Sequence, residues 1–237
     1  MRVHSLESLA ALDGKGLRYG VFLAGCGLRC VYCHNPDTWS ADAGTEMSPA
    51  ELLSKIVRYK PYFRTDGGVT FSGGEPLLQA DELCKLAELL KAEGIGYAVD
   101  TSGAVGLTDS VKRLLCGAQS VICDLKFPDA ESFGRYTCGD FALVEGFLAF
   151  LSENDIPTWL RTVIVPGIND TEEWMERYAK TAKRLIPNAE RYELLGFHTM
   201  GFFKYERLGI ENPLASVRSL DKERLTELQS YINTLLK

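Results

Sequence analysis

The 237-residue chain has no run of 18 or more apolar residues, so no membrane span is expected. Its start, Met1-Arg2-Val3-His4-Ser5-Leu6-Glu7, lacks the apolar centre of a secretory signal, and the expected location is the cytoplasm. There is no basic excess. Against 32 Asp and Glu stand 26 Lys and Arg, a net charge of −6, which argues against a general nucleic-acid binder. Linkers and low-complexity stretches are missing too, so residues 1–237 are expected to form a single domain. Histidine is scarce, with only His4, His34 and His198 present. Four of the seven cysteines, Cys84, Cys116, Cys123 and Cys138, are dispersed without paired spacing. In a chain that is 46% hydrophobic they read as small buried side chains, not as a disulfide framework.

The other three cysteines are concentrated. Cys26, Cys30 and Cys33 have the spacing C-x3-C-x2-C within Gly25-Cys26-Gly27-Leu28-Arg29-Cys30-Val31-Tyr32-Cys33-His34-Asn35. Structural zinc takes four protein ligands, and cubane iron–sulfur clusters usually take four cysteines. Three thiolates therefore leave one metal position open. His34 is too close to Cys33 to be an easy fourth ligand, and His4 or His198 would serve only if the fold delivered them. An iron–sulfur cluster is the favoured reading, with zinc as the alternative.

Around this loop, strand and helix patterns alternate. Apolar strands are expected at 18–24, 68–72, 97–100, 120–125, 158–165 and 191–195. Helices are expected to open at Ser48-Pro49-Ala50-Glu51, a capping box with proline at the first position, and to cover 81–93, 108–115, 141–154, 171–186 and 221–236. Near-continuous apolar strands predict a mostly parallel α/β sheet with outer helices. Six strands cannot close a tight eight-stranded barrel, so an open, partial (β/α)6 barrel is the expected fold. Functional groups gather at the C-terminal ends of such strands. The distinctive polar residues fall there: the cysteine loop, Gly73-Gly74-Glu75, Asp100-Thr101, Asp124-Leu125-Lys126 and His198, with Arg161 inside the fifth strand.

The cysteine spacing followed by His34-Asn35 resembles the radical S-adenosylmethionine (SAM) superfamily. The resemblance implies a [4Fe-4S] cluster held by Cys26, Cys30 and Cys33, with SAM chelating the fourth iron. Reductive cleavage of SAM then yields a 5′-deoxyadenosyl radical. Tyr32 resembles the residue that flanks the adenine, and Cys33 and His34 fall with it. Ser72-Gly73-Gly74-Glu75-Pro76 is similar to the family's GGE motif, which binds the SAM amino group. A plain turn would explain that segment taken alone.

The resemblance narrows to activating enzymes of glycyl-radical enzymes. It implies that Asp100, Thr101 and Asp124 hold a monovalent cation, Na+ or K+, beside the SAM carboxylate. It also places Asp124, Leu125, Lys126, Arg161 and His198 along the SAM site. Asp13-Gly14-Lys15-Gly16-Leu17-Arg18 resembles the DGPGIR segment whose aspartate meets the incoming peptide. Lys15 stands where the family has proline, which predicts a less rigid loop. No ferredoxin-like cysteine sets follow Cys33, which favours the type acting on pyruvate formate-lyase.

The implied activity is removal of a glycine α-hydrogen from a partner glycyl-radical enzyme. Pyruvate formate-lyase is the expected partner, and a flavodoxin or ferredoxin the expected reductant. No nucleic acid or membrane is involved, and a monomer is expected. The alternatives are an activase of another glycyl-radical enzyme, a small-molecule radical SAM enzyme such as a carboxy-deazaguanine synthase, and a non-catalytic zinc module.

Overall fold

The computed structural model describes residues 1–10 and 13–237. Its strands are β1 (Arg2–Ala10), β2 (Arg18–Leu23), β3 (Thr45–Glu46), β4 (Gly68–Gly73), β5 (Tyr97–Thr101), β6 (Ser120–Asp124), β7 (Thr158–Ile164) and β8 (Arg191–Gly196). They form a sheet in the order β3-β1-β2-β4-β5-β6-β7-β8. β2 is parallel to β4, β4 to β5, and β7 to β8. These are the strands that the apolar runs predict. β1 and β3 are additions, and β1 runs antiparallel to both β2 and β3. In β1 only Val3 and Ala10 are buried, so it carries no apolar run to betray it. β3 is two exposed residues long.

The chain divides into two compact units. The first comprises Met1–Gly27, Thr38–Thr101 and Val105–Ile122; the second comprises Leu28–Asp37, Ser102–Ala104 and Cys123–Lys237. In the first unit the helices are α1 (Pro49–Ile56), α2 (Lys60–Phe63), α3 (Ala80–Ala92) and α4 (Asp109–Cys116). The α1 capping box forms as its sequence requires. The Ser48 hydroxyl accepts from the Glu51 amide at 3.3 Å, and the Glu51 carboxylate accepts from the Ser48 amide at 2.7 Å. Thr108 caps α4 through its hydroxyl alone, which accepts from Val111 N–H at 3.3 Å. Val21, Leu23, Val69 and Phe71 of the strands share a fully buried core with Leu52, Ile56, Leu83 and Leu86 of the helices.

The second unit carries α5 (Ala130–Thr137), α6 (Phe141–Glu153), α7 (Glu172–Leu185), α8 (Phe202–Leu208) and α9 (Lys222–Leu236). α5 and α8 are absent from the sequence expectations, and each is only about two turns long. Helices this short have little intrinsic stability and depend on tertiary partners. The α9 stripe is deepest at Leu228 and Ile232. Between them Gln229 meets the sheet: its amide oxygen accepts from Leu194 N–H at 2.7 Å and its amide nitrogen donates to Tyr192 C=O at 3.0 Å. Among the described residues, no helix is long and apolar enough to cross a membrane.

α5 is capped by Asp129, whose carboxylate accepts from Ser132 N–H at 3.0 Å and faces Arg177 at 2.5 Å. Burial pushes the Asp129 carboxyl up, but the Ser132 bonds and Arg177 outweigh it and hold it below the ordinary range. Asp129→Ala is expected to lower stability by about 1 kcal/mol at neutral pH. A depressed carboxyl stabilises above its unfolded value, about 3.9, and loses that effect as pH falls through the folded value. The difference between wild type and variant in urea midpoint should therefore shrink below about pH 4; a constant gap would contradict the assignment.

Candidate functional site

In the first unit, β2 delivers the chain to Cys26, which is half-buried. The loop is fastened by Gly25 N–H to Thr38 C=O at 2.8 Å and Cys26 N–H to Trp39 C=O at 3.3 Å. The neighbouring glycine pair has a concrete cause. Gly73 sits at φ +117°, and a Cβ there would lie 2.2 Å from the Leu23 nitrogen; a Cβ on Gly74 would lie 2.3 Å from the Gly25 oxygen. What approaches these glycines is the backbone that leads into the cysteine loop. Gly74 N–H donates to Leu23 C=O at 2.9 Å, and Glu75 N–H to Gly25 C=O at 2.7 Å.

Glu75 is 2% exposed and engaged within the same unit. Its carboxylate accepts from the Leu77 amide at 3.2 Å and from the Thr101 hydroxyl at 2.7 Å. Asp100 accepts from the Ser72 hydroxyl at 2.8 Å. Thus Thr101 and Asp100, expected beside a cation, are tied to β4 and its following turn. Asp13 is half-buried near the start of the unit, and its carbonyl accepts from the Thr70 hydroxyl at 2.7 Å.

The second unit holds Cys30, buried, and Cys33, half-buried. Their loop is tied to the end of α5 by Arg29 N–H to Thr137 C=O at 2.7 Å and Val31 N–H to Tyr136 C=O at 3.0 Å. Three charged candidates converge there. The Asp124 carboxylate accepts from Lys126 Nζ at 3.1 Å and from Arg161 Nε at 3.3 Å. Burial would raise the Asp124 carboxyl, but Lys126 and Arg161 overcome it and hold it below the ordinary range. Burial acts to lower Lys126, yet Asp124, Cys30 and Tyr32 keep its ammonium well above its ordinary value. Both groups stay charged at neutral pH. Leu125 between them is fully buried in the core.

Two polar atoms of this unit are buried without a hydrogen-bond partner among the described residues: the Tyr32 hydroxyl and His198 Nδ1. Such atoms are rare and mark a place where something besides the polypeptide belongs. Burial, above all, pushes the Tyr32 phenol well above its usual value, so it remains a neutral donor. The His34 and His198 rings stack with centroids 3.9 Å apart, and His34 Nε2 donates to the His198 carbonyl at 2.8 Å. Burial holds the His34 imidazole below its ordinary value. Tyr32, Lys126, Asp124 and Arg161 thus make one polar cluster, in which the ammonium and guanidinium are groups suited to a carboxylate, and the stacked imidazoles make a second that begins at the residue after Cys33.

Sequence reasoning missed the residues that hold these in place. In α8, Tyr205 donates to the Cys33 carbonyl at 2.9 Å, and Lys204 Nζ donates to Asn35 Oδ1 at 2.7 Å and Asp37 Oδ1 at 3.0 Å. Where the chain leaves β6, the Thr162 hydroxyl donates to Leu125 C=O at 2.7 Å and the Tyr178 hydroxyl to Lys126 C=O at 2.9 Å. These pairs are separated by 37 to 172 residues, and no local pattern announces them. Among the described residues, no three His, Cys, Asp or Glu side chains are grouped around one metal ion. A cubane differs from a single ion in taking each thiolate on a separate iron.

Known proteins give the family. Residues 12–130 match the 4Fe-4S single cluster domain family. The pyruvate formate-lyase-activating enzyme of Clostridium pasteurianum is 41% identical over 238 residues, covering 100% of this chain and 98% of the relative. That of Staphylococcus epidermidis is 39% identical, covering 98% and 94%. The fold is similar to that of a radical SAM methyltransferase from Sphaerobacter thermophilus, with a TM-score of 0.64 at 16% identity over 92% of this chain and 64% of the other. With relatives this similar over its full length, the chain belongs to the family of pyruvate formate-lyase-activating enzymes.

Proposed function

We propose that the chain activates pyruvate formate-lyase by removing a glycine α-hydrogen, with a [4Fe-4S] cluster and SAM as cofactors. Full-length likeness to enzymes of that name carries the reading. Bound together, the reduced cluster and SAM supply one-electron cleavage of the sulfonium and a radical able to take hydrogen from carbon. The electron is drawn from a flavodoxin or ferredoxin.

In this reading Cys26, Cys30 and Cys33 each bind one iron and leave the fourth for SAM. Arg161 and Lys126 orient the SAM carboxylate by charge-assisted hydrogen bonds. Glu75 accepts from the SAM ammonium, within a backbone that Gly73 and Gly74 allow to lie against the cysteine loop. Tyr32, His34 and His198 line the remainder, and the two unpartnered atoms, Tyr32 Oη and His198 Nδ1, support a ligand there. Asp100, Thr101 and Asp124 bind a monovalent cation, and Asp13 meets the partner peptide. The chain needs no general acid or base for hydrogen-atom transfer; its task is position.

The test is anaerobic reconstitution followed by mixing with SAM, a reductant and pyruvate formate-lyase. A glycyl signal in electron paramagnetic resonance is expected, with methionine and 5′-deoxyadenosine as products. SAM cleavage without that signal would reassign the partner. A single tightly bound zinc without SAM cleavage would overturn the reading.

A further inference from the structure

Of the Asp13-to-Arg18 segment only Asp13 has a role in the activity above, and the charged Arg18 at its end has none. Arg18 opens β2 and is 1% exposed, the largest fully buried side chain among the described residues. A buried guanidinium is seldom the cheapest way to fill a core, and an apolar side chain there would often be as stable. Its bonds indicate what it does instead.

Arg18 Nη1 donates to the Lys15 carbonyl at 3.3 Å and to the Asp66 carbonyl at 3.1 Å. Nη2 donates to the Val69 carbonyl at 2.5 Å. Nε donates to the Thr70 hydroxyl at 3.1 Å, and that hydroxyl donates onward to the Asp13 carbonyl at 2.7 Å. The loop at 13–16 is therefore held at both ends: directly at Lys15, and through Thr70 at Asp13. It is also seated from below. Gly16 has φ +69°, and a Cβ there would come within 2.5 Å of the Gly67 nitrogen, so the loop lies on the 66–67 backbone that Arg18 also grips. The loop has lysine at 15 where proline would have stiffened it. The fork of a planar guanidinium supplies the fixation that the ring does not.

We propose that Arg18 and Thr70 are positioning residues for Asp13, holding the 13–16 loop in the shape that receives the partner enzyme's peptide. This rests on the reading that Asp13 meets that peptide. It differs from a purely structural role because the hydroxyl at 70 joins the guanidinium to Asp13 and to nothing that the SAM residues use.

The experiment compares Asp13→Ala, Thr70→Val, Thr70→Ser and Arg18→Lys in reconstituted enzyme. For each, the KM for the partner enzyme, the SAM Kd, and amide hydrogen exchange at 13–17 are measured. Thr70→Val is expected to raise the partner KM about five- to tenfold and to speed exchange at 13–17, with SAM Kd within about twofold of wild type. Thr70→Ser, which keeps the hydroxyl, restores the KM; Arg18→Lys, which loses the fork, does not. If Asp13→Ala leaves the partner KM unchanged, the reading of Asp13 fails and takes the proposal with it. If Asp13→Ala raises KM and Thr70→Val does not, the proposal alone fails. Equal losses of SAM affinity and partner KM in Thr70→Val would reduce the pair to structural support and also overturn it.

Discussion

Cys30→Ala is expected to bind no stable cluster and to cleave no SAM. A site-differentiated cluster already has one iron without a protein ligand, and losing a second thiolate leaves two irons to exchange with solvent. Cys30 is buried, so no solvent-borne thiol readily replaces it. Its loop is pinned at Arg29 and Val31 to the end of α5, so the main chain cannot slide another cysteine into its place. Iron content after anaerobic reconstitution, the charge-transfer absorption of the cluster and chromatography of 5′-deoxyadenosine all read the result. By contrast Cys84→Ala and Cys123→Ala should keep about four irons per chain, since those thiols are core packing. Retained SAM cleavage in Cys30→Ala would remove it from the ligand set.

Gly73→Ala is the second large effect. Two costs add at this position. Alanine at φ +117° is strained, by about 1–3 kcal/mol. Its Cβ would also meet Leu23 backbone atoms at 2.2 and 2.4 Å, and such overpacking costs a further 1–3 kcal/mol or so. Together they amount to roughly 4 kcal/mol, a large part of an ordinary domain's stability. The clash falls where β2 hands the chain to Cys26, so whatever relaxation occurs should misplace the cysteine loop. The expected result is a much lower urea midpoint for the apo-protein and, in whatever folds, loss of SAM binding. An unfolding free energy within about 1 kcal/mol of wild type would show that β2 and β4 can part freely, and that the glycines answer to the ligand alone.

Much of the fold was legible, for identifiable reasons. β2, β4 and β6 are buried along nearly their whole length and stand out as apolar runs, whereas β7 buries alternate residues and β8 only Tyr192 and Leu194, and these two show by their β-branched and aromatic residues. The cap at Ser48 is local chemistry within three residues and forms as read, and Thr108, Thr171 and Asp221, at which three other helices were expected to begin, act as caps by the same local chemistry. β1 escaped because its side chains are mostly exposed and its pairing is supplied by β2, a strand still to come. α5 and α8 escaped because at eight and seven residues they are set by what they touch. The site divides likewise. Cysteine spacing and Gly73-Gly74-Glu75 are contiguous and therefore visible. Tyr205 under Cys33 and Tyr178 under Lys126 are visible only after folding. The glycine pair was legible as a motif, while its physical cause, contact with Leu23 and Gly25, was not.

The Gln229 amide has a consequence for behaviour at high concentration. β8 is the last strand, and the outward groups of Tyr192 and Leu194 are where another chain would attach. Gln229 occupies both, as a single residue of a foreign strand would. At the opposite margin β3 pairs only with Arg2 and Val3, and the outer side of β1 beyond them is interrupted by irregularities between Val3 and Ser5 and between Glu7 and Ala10, which spoil a flat template. Edge addition at β8 is thus opposed by one glutamine. Gln229→Leu would keep the helix and open this margin, and is expected to raise concentration-dependent association as read by light scattering.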